Sequence, residues 1–87
     1  MPAPSRADRI RSALSEAFTP TELEVVDESH LHAGHAGAAP GGETHYSVRI
    51  RAAGLAVLSR LERHRAVNDA LKPEFDRGLH ALHIDAA

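Results

Sequence analysis

The chain has no cysteine and no tryptophan, and its only aromatic residues are Phe18, Tyr46 and Phe75. Without cysteine it can form no disulfide and supply no thiolate of its own, which fits a reducing compartment. With three aromatics, any core must be aliphatic. No apolar run approaches the roughly 18 residues of a membrane-spanning helix. The first residues, MPAPSRADRIRSALSEAF, carry charge and lack the apolar stretch of a secretory leader. The expectation is a soluble, cytoplasmic protein with no membrane attachment. Lysine is nearly missing too, since nine of the ten basic residues are arginine. The net charge of −2 argues against strong non-specific binding to nucleic acid, which needs many phosphate-neutralising cations. Phosphate-cradling and dinucleotide fingerprints are missing. No Ser-His-Asp set is visible and the acidic residues are scattered singly, so the reading is non-enzymatic.

What the chain does have is histidine: seven in 87 residues. Four of them, His30, His32, His35 and His45, fall within the stretch SHLHAGHAGAAPGGETHY. Such a set makes the charge sensitive to pH between about 5 and 8. A chain this short forms one domain, 1–87, and buries roughly 60% of its unfolded surface. Residues 1–4 and 85–87 are expected to be flexible.

The element order can be read from periodicity. Ser5 with Asp8 forms a capping box, and Ile10, Ala13, Leu14, Ala17 and Phe18 recur at helical spacing until Thr19-Pro20. ELEVVDE is a short strand. HYSVRIRA is a stronger one, in which Tyr46, Val48 and Ile50 alternate with His45, Ser47, Arg49 and Arg51. The connection between them is far longer than an ordinary hairpin loop, and a loop of that length is usually functional or disordered. A second helix spans about Leu55 to Phe75. Val57, Leu58, Leu61, Val67, Leu71 and Phe75 share its apolar face with His64, and Pro73 predicts an end or kink near Leu71 or Lys72. LHALHI then gives a third strand, with His80, Leu82 and Ile84 on one face. The order α-β-β-α-β predicts an α/β (α+β) domain, two helices covering one face of a three-stranded mixed sheet.

Three histidine features compete for a functional reading. The run HLHAGH could aim two imidazoles at one metal ion, but closed zinc sites take four ligands, commonly with cysteine. The alternatives are a solvent-exposed loop and a site completed from elsewhere. Within Arg63-His64-Arg65 the wheel packs His64 into the core and leaves the arginines as surface cations. Together with Arg60 they form a surface for nucleic acid or a protein partner, or simply a solvated face. His80 sits at a strand end, where a side chain can be both fixed and accessible; a histidine satisfied by a backbone carbonyl is the plain alternative. GHAG at 34–37 matches the G-x-x-G of KH domains. There it joins two helices, whereas here it lies between strands.

Taken together, LEVVDES, the histidine-containing Gly/Pro loop, GGETHYSVRI, LSRLERHRAVNDAL and LHALHI resemble the BolA family over about Arg6 to Ile84. The E-T-H-aromatic run, the R-H-R-x-V run and the H-A-L run, in that order, carry the resemblance. It implies a fold similar to class II KH domains. It also implies a partner, a monothiol glutaredoxin, with which a two-iron two-sulfur (2Fe-2S) cluster is bridged. In that arrangement the partner and glutathione supply thiolates and this chain supplies histidine, as on the histidine-bound iron of Rieske centres. The H-A-L histidine is His80. For the loop ligand, counting forward from DES selects His32 and counting back from ETHY selects His35. The usual aromatic-x-Gly ahead of the second helix reads Leu55-Ala56-Val57 here. The family also implies an alternative, a DNA-binding regulator of stress response and cell shape, with DNA held weakly. No cofactor is expected on the isolated chain, which would be a monomer or weak homodimer.

Overall fold

The computed structural model describes residues 4–28 and 45–87. The elements run α1 (Arg6–Phe18), β1 (Glu22–Asp27), β2 (His45–Arg51), α2 (Ala53–Ala56), α3 (Arg60–Ala70), α4 (Lys72–Asp76) and β3 (Ala81–Ala86). The sheet has the order β1-β2-β3, antiparallel between the first two strands and parallel between the last two. A parallel neighbour requires a crossover, and α2, α3 and α4 provide it. This is the mixed three-stranded α/β arrangement that the periodicity predicts.

α1 begins as its sequence dictates. The Ser5 hydroxyl accepts from the Asp8 amide at 3.2 Å, and the Asp8 carboxylate accepts from the Ser5 amide at 3.4 Å. Ile10 and Leu14, one turn apart, are fully buried against the sheet. The helix ends at Thr19 in the left-handed conformation, φ 47°, and its amide donates to the Ser15 carbonyl. In β2, Tyr46, Val48 and Ile50 point into the core while Arg49 is exposed, so the alternation holds from Tyr46 onward; His45, which the alternation sets on the outer face, is also buried. The register aligns Val25 with Val48 and Val48 with Ile84, which makes a continuous aliphatic seam across the three strands. α1 lies on β1, α3 lies on β3, and the two helices touch each other. Val67, Leu55 and Leu71 close the core from the crossover side. Each fully buried aliphatic side chain contributes about 1.5–3 kcal/mol.

The single helix expected over Leu55 to Phe75 is three pieces. Ser59 is a second N-cap: its hydroxyl accepts from the Glu62 amide at 3.2 Å, and Glu62 accepts from the Ser59 amide at 3.0 Å. That capping box starts α3 afresh and breaks the helical phase. Val57 and Leu61, assigned to the apolar face by a continuous wheel, are instead 82% and 59% exposed. His64 is half-buried rather than packed into the core. The interruption expected near Leu71 is present, with Leu71 between α3 and α4 and Pro73 in the first turn of α4.

The second half returns to α1 through a buried carboxylate. Glu74 is 6% exposed and accepts from Arg6 Nε at 3.2 Å and from Arg9 Nε and Nη2 at 3.0–3.1 Å. The chain then turns into β3 at Gly78, whose φ of 114° disfavours any side chain. β3 begins at Ala81, two residues later than the sequence pattern suggests. It includes Asp85 and Ala86, and Ala87 donates to the Ile50 carbonyl at 3.1 Å. Residues 85–87, expected to be flexible, are hydrogen-bonded to the sheet in the structure; residues 1–3 lie outside the described residues.

Candidate functional site

The parallel pairing of β2 with β3 decides which histidines meet. His45 opens β2 and is in register with Ala81, so His80, one residue earlier, comes alongside it. The two ring centroids are 5.2 Å apart and tilted by 55°. His45 is 8% exposed and His80 is exposed. The pair thus has an inner ring fixed by the sheet and an outer ring open to solvent. The same margin receives both ends of the long connection. Glu28, just after β1, donates its amide to the His45 carbonyl at 2.8 Å. The segment 29–44 therefore leaves and re-enters the described structure beside His80. His32 and His35, the loop candidates, lie outside the described residues, as does His30.

His45 opens β2 as the sequence reading has it, but its contact with His80 is what sequence reasoning missed. It belongs by chain position with the loop histidines, but the structure sets it against His80. Only the strand register could have shown this. Among the described residues no group of three or more His, Asp or Glu side chains could hold a metal ion. The described part of the site is thus a histidine pair.

The arginines separate. Arg63 Nε donates to the Leu55 carbonyl at 2.9 Å and Nη2 to the Ala56 carbonyl at 3.5 Å, so its guanidinium ties α3 to the end of α2. Arg60 faces a cleft between α3 and β3 together with His64 and His83. Arg65 does not line that cleft; its charge helps hold the Glu62 carboxyl below the usual carboxylate range, after the larger effect of the hydrogen bonds from Ser59. Arg60 and Arg63 are therefore brought together, and Arg65 is not.

Comparison with known proteins adds a decisive observation. The model of the family described as BolA-like protein matches residues 14–87. The chain belongs to the BolA-like family. This BolA-like chain is 51% identical over 84 residues to an uncharacterized protein in the cobS 5' region of Sinorhizobium sp., covering 95% of this chain and 90% of that one. It is 44% identical to BolA-like protein 1 of Homo sapiens, covering 88% of this chain and 53% of the human protein. It is 45% identical to part of SufE-like protein 1, chloroplastic/mitochondrial, of Arabidopsis thaliana, covering 94% of this chain but 23% of that protein. The structure is similar to the BolA domain of SufE1 from Arabidopsis thaliana, with a TM-score of 0.84 and 44% identity, covering 98% of this chain and 93% of that one.

Proposed function

We propose that this BolA-like protein is a non-enzymatic adaptor for iron–sulfur clusters. It pairs with a monothiol glutaredoxin and contributes histidine to a bridging 2Fe-2S cluster that the partner and glutathione hold with thiolates. The observation that carries the reading is the His45–His80 pair at the sheet margin where the segment 29–44 begins and ends. His80 is the exposed ring and would hold iron; His45 backs it and fixes its orientation. The second ligand is His32 or His35. The lack of cysteine supports the division of donors, since thiolates must then come from the partner. A BolA domain within a SufE-like protein points the same way. A DNA-binding role is the weaker reading, because the guanidinium of Arg63 is already committed to two carbonyls.

The test mixes the purified protein with a monothiol glutaredoxin, iron, sulfide and glutathione, and follows visible absorption and circular dichroism. A mixed complex is expected, with a spectrum distinct from that of the glutaredoxin alone. His80→Ala should change that spectrum and weaken the heterodimer while the apo-protein keeps its far-UV signal. An unchanged spectrum with unchanged cluster retention would remove His80 from the site.

A further inference from the structure

The two outer edges of the sheet are not alike. At β1 the Glu28 amide donates to the His45 carbonyl. Alternate residues of a strand bond to the same side, so Leu23, Val25 and Asp27 turn their backbone groups outward. This edge is guarded. Arg11 Nη2 donates to the Val25 carbonyl at 3.3 Å, and the exposed Glu22, Glu24 and Asp27 line the strand with like charge. At β3 the Ala87 amide donates to the Ile50 carbonyl, and the Ala87 carbonyl accepts from the Ala52 amide. By the same alternation Leu82, Ile84 and Ala86 turn their backbone groups outward. None of the three has a hydrogen-bond partner on that side among the described residues. An open cleft of about 400 Å³ holds Arg60 and His64 of α3 back from this edge. That leaves room for one more strand, which would lie about 4.8 Å away.

The side chains of β3 specify which strand fits. Ile84 is buried on the core face with Leu82 and Ala86 beside it, and Ala81, His83 and Asp85 are exposed on the other face. A second β3 can lie antiparallel to the first about a two-fold axis. Centred on His83, the pair sets His83 against the partner's His83. Centred on Asp85, it sets two carboxylates face to face, which is unfavourable. Centred on Leu82 or Ala86, the strands overlap only in part. Centred on Ile84, His83 faces the partner's Asp85, and Asp85 faces the partner's His83. These are non-hydrogen-bonded positions, where facing side chains come closest. Arg51 holds Asp85 Oδ1 at 3.1 Å, which leaves Oδ2 for the imidazole. The same register sets Leu82 beside the partner's Ala86, large against small, and gives every outward amide and carbonyl of Leu82, Ile84 and Ala86 a partner. We propose that two copies of this chain join edge to edge through β3, centred on Ile84. The contact closes on itself, whereas β3 laid on the guarded β1 edge would propagate. It sends the two His45–His80 margins to opposite ends of the joined sheet, and it needs no iron and no other protein.

The experiment uses the full chain at constant pH, without iron or any other protein. Sedimentation equilibrium at rising concentration should show a reversible dimer, weak because one strand pair is a small interface. NMR on a mixture of isotope-labelled and unlabelled protein should show a contact from the His83 Hα to the Hα of the partner's Asp85. Asp85→Lys sets a lysine against the partner's His83 and enters the interface twice, so the dimer should weaken about tenfold or more. His83→Glu sets two carboxylates face to face and should weaken it likewise. The two substitutions together restore opposite charges and should restore the dimer, an outcome peculiar to this register. Ala86→Pro removes an amide that faces the edge and none that faces β2, and should also weaken association. His83 and Asp85 are exposed, and thermal melting of each variant checks that the fold is kept. A chain that stays monomeric up to about 1 mM would overturn the proposal. So would a dimer whose contacts fall at the exposed Val57 and Leu61, or one that the double substitution fails to restore.

Discussion

His80 and His45 differ in one respect that determines what each can do: the outer ring is open to solvent and the inner one is enclosed. Removing the two rings should therefore have different consequences in the glutaredoxin complex. His80→Ala takes away a donor and should alter the form of the visible spectrum. His45→Ala takes away the wall behind the donor; the spectrum should keep its form while the cluster is lost several-fold faster, read as decay of absorption under a chelator. If His45→Ala changed the spectral form as much as His80→Ala, both rings would be ligands. For the loop, alanine at His32, at His35 and at both decides between the two ways of aligning the segment. One single variant should reproduce the spectral change of the double variant and so name the ligand. A double variant identical to the unaltered protein would take the loop out of the site. His80 was singled out in the sequence by the H-A-L run and by its place at the margin of the third strand, and the structure sets it just before β3. Its contact with His45 was not legible, because it depends on parallel pairing between strands far apart in the chain, and spacing carries no information about register.

Among the elements, the crossover is where local sequence and tertiary structure disagree most instructively. Ser59-x-x-Glu62 is a start signal written inside an apolar pattern that otherwise reads as one helix. The cap decides the outcome because it satisfies two amides that would otherwise be orphaned at the α3 terminus. Ser59→Ala should cost about 1 kcal/mol, measured by urea denaturation with an unchanged slope. A cost near zero would mean that Arg63, reaching the Leu55 and Ala56 carbonyls, holds the junction without the cap. α1, β1 and β2 were legible almost residue by residue, since each carries its own cap or its own alternation. The crossover was not, because a wheel drawn over about Leu55 to Phe75 assumes an unbroken phase. The exposed Val57 and Leu61 and the half-buried His64 all follow from that one assumption.

At the scale of the molecule, a small domain depends on whatever joins its two ends, and here that is Glu74 with Arg6 and Arg9. The contact links α1 to α4 across most of the chain, with Glu74 almost fully enclosed. Burial alone would raise the Glu74 carboxyl. The hydrogen bonds and charges of Arg9, then those of Arg6, outweigh it, and the carboxyl is held below its ordinary value of 4.5. A carboxyl lowered in the folded state stabilises the fold fully above its unfolded value. That contribution fades as pH falls through the depressed folded value, where the carboxylate is protonated and the two guanidinium groups lose their counter-charge. Glu74→Gln keeps the shape of the side chain and removes the charge. At pH 7 it should cost about 3 kcal/mol, since two partly enclosed arginines are left without their acid. That is a large fraction of the roughly 5–15 kcal/mol by which domains are stable. Urea denaturation of both proteins at pH 7 and again near pH 3 checks the sign. The other carboxyls titrate alike in both proteins, so the difference between them isolates Glu74. It should shrink on acidification. A gap of equal size at both pH values would show that the lost stability comes from shape and hydrogen bonding, with no contribution from the charge of Glu74.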